Sequence, residues 1–97
     1  MALESERLYW ECKEKVAKRI NASIEEIIFT ANSSDASNML VEIIRKNCLI
    51  QAGEVILLSV AEHHANIVPW QMLCEEVGCR IDWIGLDSNY DLDIQDF

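Results

Sequence analysis

One proline and three glycines in 97 residues leave little room for a flexible linker or a low-complexity tract. No internal repeat is visible either, so residues 1–97 are expected to be a single fragment of one domain with no second domain. Basic residues are scarce: eight Lys and Arg stand against seventeen Asp and Glu, a formal net charge of -9. Such a chain has no means of neutralising a run of phosphates, which argues against a nucleic-acid partner or an anionic membrane surface. Apolar runs such as Val55-Ile56-Leu57-Leu58 fall far short of the ~20 residues that a membrane-spanning helix needs. The opening residues 1–7 carry no basic region followed by an apolar segment, so a secretory leader is not expected and a cytoplasmic location is.

Apolar residues, by contrast, make up 51% of the chain, enough to exclude wholesale disorder. A chain of this length buries roughly 60–68% of the surface it exposes when unfolded, so the core is modest. The four cysteines are Cys12, Cys48, Cys74 and Cys79. Without an export signal, and with three of the four inside apolar patterns, they read as structural thiols. A zinc site built from Cys74, Cys79 and His63 or His64 is the alternative, but paired C-x-x-C knuckles are absent and no metal is expected.

The periodicity alternates between helix and strand. Leu8, Tyr9, Cys12, Val16 and Ile20 recur at steps of mostly three and four, which predicts a helix over 5–20 that stops at Asn21. Glu11 with Lys15 and Glu14 with Lys18 have the favourable order for helix ion pairs. Ile27-Ile28-Phe29-Thr30 reads as a short buried strand. The capping cluster Asn32-Ser33-Ser34-Asp35 then opens a second helix carrying Met39, Leu40, Ile43 and Ile44. A strand over 55–59 follows the turn at Ala52-Gly53. A third helix begins near Asn66 or Pro69, carries Trp70, Leu73, Cys74 and Val77, and ends at Gly78. The last strand, 80–86, alternates polar residues onto one wetter face. The order α-β-α-β-α-β is that of an α/β layer with mainly parallel strands.

Ligands in such sheets collect beyond the carboxyl ends of the strands, and two polar groups fall there. Asn32-Ser33-Ser34 is either an ordinary helix cap or a site where helix-start N–H groups and two hydroxyls receive an anion. His63 and His64 are either a solvated loop pair or a flat surface on which an aromatic cofactor stacks, with Glu62 placed to bias their charge. Trp70 belongs to the core rather than to a substrate platform. Asp87, Asp91 and Asp93 form an acidic turn, since the glycine and closing glutamate of a calcium loop are missing. Lys13, Lys15, Lys18 and Lys46 all fall on or near helix surfaces, and none reads as a buried nucleophile.

The run from Glu62 through His63-His64-Ala65-Asn66-Ile67-Val68-Pro69-Trp70 to Cys74 closely resembles a signature of the cysteine desulfurases and selenocysteine lyases, within the class-V aminotransferase group of pyridoxal-phosphate (PLP) enzymes. Ile20-Asn21-Ala22, Glu26 to Thr30, Gly53-Glu54-Val55-Ile56 and Leu86-Asp87 extend the likeness over nearly the whole chain. The resemblance implies a three-layer fragment of the fold-type-I PLP-dependent transferase large domain. In that fold the first strand does not neighbour the next two.

By the same resemblance, His63 stacks on the cofactor's pyridine ring and assists proton transfer, which makes it the catalytic candidate. Asn32, Ser33 and Ser34 match the family's glycine-threonine-threonine phosphate loop, with Ser34 as the side-chain donor and Asn32 as the departure. The cofactor-bonding lysine, the aspartate that pairs with the pyridine nitrogen and the sulfur-accepting cysteine match no position in this chain. The implied function is that of a fragment of a PLP-dependent cysteine desulfurase, moving sulfur from L-cysteine to an acceptor, for example for iron–sulfur cluster assembly. The fragment supplies part of the cofactor pocket and is inactive alone. A homodimer and a sulfur-acceptor protein are the partners implied. The alternative is a truncated, non-catalytic paralogue acting through protein contacts.

Overall fold

The computed structural model describes residues 1–96. They form two compact units, Met1–Thr30 and the segment from Ala31 onward.

In the first unit, helix α1 (Ala2–Arg19) runs as the spacing requires and ends where Asn21 takes a left-handed φ of 57°. Asparagine tolerates that region better than most residues, which is why the chain turns there. The apolar stripe is not buried as expected. Ala17 is the buried residue of α1, whereas Leu8, Tyr9, Cys12, Val16 and Ile20 are exposed. Thirty residues hold too little chain to cover a whole helix face. Tyr9 instead packs edge-on against Trp10 and Phe29, each at 5.7 Å between ring centres, and Lys13 Nζ lies 5.0 Å over Trp10. The Glu14–Lys18 pair forms at 3.2 Å, but Glu11 pairs with Arg7 rather than with Lys15.

A 3₁₀ turn (Ile24–Glu26) follows, closed by the Ser23 N–H donating to Glu26 Oε2 at 2.7 Å. Residues 27–30 then continue without forming the expected strand. Ile27 has extended dihedrals, φ −101° and ψ 125°, and is buried. A strand is defined by its ladder, and this segment joins no sheet among the described residues. Local β propensity was legible, but the ladder partner is not supplied locally.

The second unit contains helix α2 (Ser33–Lys46), strand β1 (Val55–Ser59), helix α3 (Val68–Val77) and strand β2 (Arg80–Ile84). β1 and β2 pair in parallel, in the register Val55↔Arg80 through Ser59↔Ile84, with α3 as the crossover. The architecture is α/β, as expected. Gly78 ends α3 with φ 86° in the left-handed region, and its carbonyl accepts the Gly53 N–H at 3.0 Å. Val41, Leu58, Leu73, Cys74 and Cys79 form the core. The inward side of α2 is marked by buried Val41 and half-buried Ile44, while Met39, Leu40 and Ile43 stay exposed. Arg45 bridges from α2 to Glu76 of α3 at 3.5 Å.

The sheet has a bare side. In the parallel register Val55 and Leu57 share a face with Arg80 and Asp82, and all four are exposed. This is the wetter face that the β2 alternation implies. Beyond β2, Leu86 and Leu92 form an isolated antiparallel bridge around a turn in which Asp87 Oδ1 accepts the Asn89 and Asp91 N–H groups, at 2.8 and 3.1 Å. The Asp87 carboxylate is therefore engaged in shaping the turn.

Candidate functional site

Helix α2 starts at Ser33 because Asn32, in extended geometry (φ −165°, ψ 177°), turns its side chain back and accepts the Asp35 N–H at 2.8 Å. Asp35 in turn accepts the Ala31 N–H through Oδ2 at 3.2 Å. These reciprocal bonds satisfy donors that a helix start leaves open. Extended backbone at Asn32 is open to any residue, so no glycine geometry is demanded there. Ser33 and Ser34 occupy the first turn, where their own N–H groups have no intrahelical acceptor. Ser37 sits one turn on, four after Ser33 and three after Ser34, and so shares their side of the helix.

On the other side, the chain leaves β1 through a turn pinned by the Val60 N–H donating to the Ile84 carbonyl at 3.0 Å. His63 precedes a 3₁₀ turn (His64–Asn66), and its Nδ1 accepts the Ala65 N–H at 3.1 Å. An accepting Nδ1 places the proton of the neutral ring on Nε2 and holds the imidazole in one orientation.

These two segments face each other. An open recess of about 330 Å³ is lined by Ser33, Ser34 and Ser37 on one side and by His63, Ala65 and Asn66 on the other. Of the residues singled out from the sequence, Ser33, Ser34 and His63 come together, while Asn32 is engaged in the cap behind them. Ser37 was not singled out as contributing. The helical spacing of Ser37 from Ser33 and Ser34 was the signal available for it.

The Glu62 carboxylate turns to Ser59 and Asn66 for its hydrogen bonds. Its Oε1 accepts from the Ser59 hydroxyl and its Oε2 from the Asn66 amide, both at 2.9 Å, and Asn66 Oδ1 accepts the Trp70 indole N–H at 3.1 Å. The Asn66 bond, followed by that of Ser59, holds the Glu62 carboxyl below the usual carboxylate range. The chain Ser59–Glu62–Asn66–Trp70 thus braces the strand end against α3 and sets the position of Asn66 in the recess. Trp70 is half-buried and tied into this brace. Lys46, the lysine of this unit, stands at the far end of α2, about 20 Å along the helix from Ser33 at 1.5 Å per residue.

The cysteines divide into two kinds. Cys12 and Cys48 are exposed, Cys12 contrary to its place in the apolar pattern, while Cys74 and Cys79 are buried free thiols. Cys74 and Cys79 contact each other, and neither lines the recess that contains His63. Among the described residues no group of three or more His, Cys, Asp or Glu side chains is placed to hold a metal ion. No helix of the described residues is long and apolar enough to cross a membrane.

Comparison with known proteins places this geometry in context. The family model for class-V aminotransferases matches residues 1–97. A probable cysteine desulfurase of Treponema pallidum is 37% identical over 97 residues, covering 99% of this chain and 24% of that protein. A cysteine desulfurase of Pectobacterium atrosepticum is 41% identical over 83 residues, covering 84% of this chain and 20% of that protein. Among solved structures, the apo cysteine desulfurase of Thermococcus onnurineus superposes with a TM-score of 0.79 at 33% identity, over 91% of this chain and 22% of that one. A C-DES variant with glycine covalently linked to its PLP cofactor superposes with a TM-score of 0.70 at 17% identity, over 88% of this chain and 21% of that one, a likeness of fold. The chain therefore spans between a fifth and a quarter of the length of these relatives. With the family model covering every residue, and relatives above 30% identity along almost all of it, this chain belongs to the class-V aminotransferase family.

Proposed function

We propose that the chain is part of a PLP-dependent cysteine desulfurase, moving sulfur from L-cysteine to an acceptor protein, with iron–sulfur cluster assembly as one destination. The observation that supports this most directly is the recess shared by Ser33, Ser34 and His63. Two hydroxyls and two helix-start N–H groups match the donors a phosphate dianion accepts, and the helix dipole adds roughly 0.3–1 kcal/mol. The imidazole on the facing wall offers a flat surface for an aromatic ring, worth roughly 0.5–1.5 kcal/mol beyond burial. The recess, at about 330 Å³, is near the lower end of small-ligand sites. These features fit the cofactor's phosphate and ring.

In this reading Ser34 Oγ and the Ser33 and Ser34 N–H groups hold the phosphate, while His63 lies over the ring. Bound PLP supplies an electron sink that weakens the substrate's carbon–sulfur bond. The contribution of this chain is orientation and a proton site. With Nδ1 engaged by Ala65, the proton-carrying atom of His63 is Nε2. The nucleophilic cysteine and the lysine of the complete reaction have no counterpart among these residues, so the 97 residues alone are inactive. A homodimer, a sulfur-acceptor protein and a cytoplasmic location follow from the same reading, as does membership of a single cofactor-binding domain.

The test is a PLP titration of the chain, read by absorbance and by tryptophan fluorescence, alongside Ser34→Ala and His63→Ala. Loss of a charge-assisted hydrogen bond at Ser34 is expected to weaken binding by about tenfold or more, and loss of the ring at His63 by several-fold. Binding indifferent to both substitutions overturns the assignment. It would also favour the second reading, a non-catalytic paralogue acting through protein contacts, to which the exposed Val55 and Leu57 face lends weight.

A further inference from the structure

The Cys74 and Cys79 sulfurs lie 2.7 Å apart, in a position unrelated to the phosphate recess. Cys74 is in the last turn of α3, Cys79 follows the Gly78 cap, and both are 9% exposed. They form part of the wall of a separate open recess of about 450 Å³, whose other lining residues include Gln71, Glu75, Arg80 and Trp83. Four residues separate the two thiols in sequence. The left-handed turn at Gly78 folds the chain back so that the end of the helix and the start of the strand present their sulfurs to each other. Cys12 and Cys48 are exposed and have no such partner among the described residues.

We infer that Cys74 and Cys79 are a reversible dithiol–disulfide site, oxidised by low-molecular-weight disulfides such as oxidised glutathione that enter through the second recess. Buried thiols exchange slowly, and an opening beside the pair is what admits a small reagent. In the first step the Cys79 sulfur attacks one sulfur of the small disulfide, forming a mixed disulfide and releasing one thiol. In the second, the Cys74 sulfur attacks Cys79 Sγ, forming the intrachain bond and expelling the second thiol. The protein loses two protons and two electrons, and the small disulfide gains them as two thiols.

Burial pushes the Cys74 thiol up to about 12, with the adjacent Cys79 sulfur adding to the shift. Burial thus keeps Cys74 mostly in its thiol form, and because the thiolate is the attacking species the second step waits on loss of that proton to solvent, while the departing small thiolate takes up a proton in turn. The bond ties the end of α3 to the start of β2 across the Gly78 turn.

The experiment uses the full chain carrying Cys12→Ser and Cys48→Ser, so that only the buried pair remains. It is incubated with oxidised glutathione without air and examined by thiol counting under denaturing conditions and by intact mass. The expected result is loss of both thiols, a protein lighter by two hydrogens with no glutathione attached, and full reversal by dithiothreitol. Cys74→Ser in the same background is expected to stop at a stable glutathione adduct on Cys79, and circular dichroism checks that this variant keeps its helices. Should Cys74→Ser unfold, Cys79→Ala in the folded state must show no adduct at Cys74. Retention of both thiols while the urea-unfolded chain oxidises, or a stable adduct on the intact pair in place of the internal bond, overturns the inference.

Discussion

Asn32 Oδ1 accepts the backbone N–H of Asp35 at 2.8 Å, so the chain's own side chain already occupies one of the donors at the start of α2. The family loop resembled by this segment has glycine at that position, and glycine brings no competing acceptor.

On the proposed phosphate reading, Asn32→Gly frees the Asp35 N–H and is expected to tighten the binding of PLP, and of inorganic phosphate as its competitor, by about tenfold or more, one charge-assisted hydrogen bond being worth roughly 1.5–3 kcal/mol before the lost cap is counted. Exchanging asparagine for glycine at a cap costs only a few tenths of a kcal/mol, whereas Asn32→Ala costs about 1 kcal/mol. Competitive titration together with urea denaturation of both variants separates the two effects. Weaker phosphate binding in Asn32→Gly would show that the cap helps the anion rather than displacing it.

Glu62 gives the brace a pH dependence whose sign is set by its lowered pKa. A carboxyl held below its ordinary 4.5 stabilises the folded state above that value, and the stabilisation is lost as pH falls through the lower folded-state value. In a Trp10→Phe, Trp83→Phe background, Trp70 fluorescence is expected to hold steady above about pH 4.5 and to change below it. Glu62→Gln should lack that transition. A titration centred near neutrality would assign the change to another group.

Two substitutions probe the β1–α3–β2 unit by different routes. Leu73, 2% exposed, is its best-buried side chain, and Leu73→Ala is expected to cost about 2–5 kcal/mol through the cavity it leaves. Gly78→Ala meets Ala52 Cβ at an ordinary 3.5 Å, so its cost comes from the φ of 86° and amounts to about 1–2 kcal/mol. Urea midpoints rank the two, and a neutral Gly78→Ala would mean that the turn relaxes out of the left-handed region.

The bare face of the sheet leads to a prediction about association. Parallel sheets are ordinarily covered on both sides, yet Val55 and Leu57 are 44% and 40% exposed beside two strand edges that join no further strand among the described residues. Sedimentation velocity is expected to show a coefficient that rises with concentration. Leu57→Asp should suppress the rise, and a wild-type chain that stays monomeric across the series would contradict the expectation.

Features decided by neighbouring residues were legible in the chain itself: the stop at Asn21, the cap at Asn32, β1 over 55–59 and the left-handed cap at Gly78. Each depends on one residue's dihedral preference, one hydrogen bond to a nearby N–H, or an apolar run bounded by a turn. The family resemblance, carried by the run from Glu62 to Cys74, was legible for a related reason, since its residues lie consecutively. What only the tertiary structure decided involves partners distant along the chain. Residues 27–30 have strand-forming side chains but join no ladder, because a ladder is made by a second strand. The faces of α1 and α2 that are buried depend on what lies opposite them, which periodicity does not specify. Glu62 turns to Ser59 and Asn66 rather than to its histidine neighbours, and the recess joining Ser33 and Ser34 to His63 exists because folding brings segments some thirty residues apart to the same place.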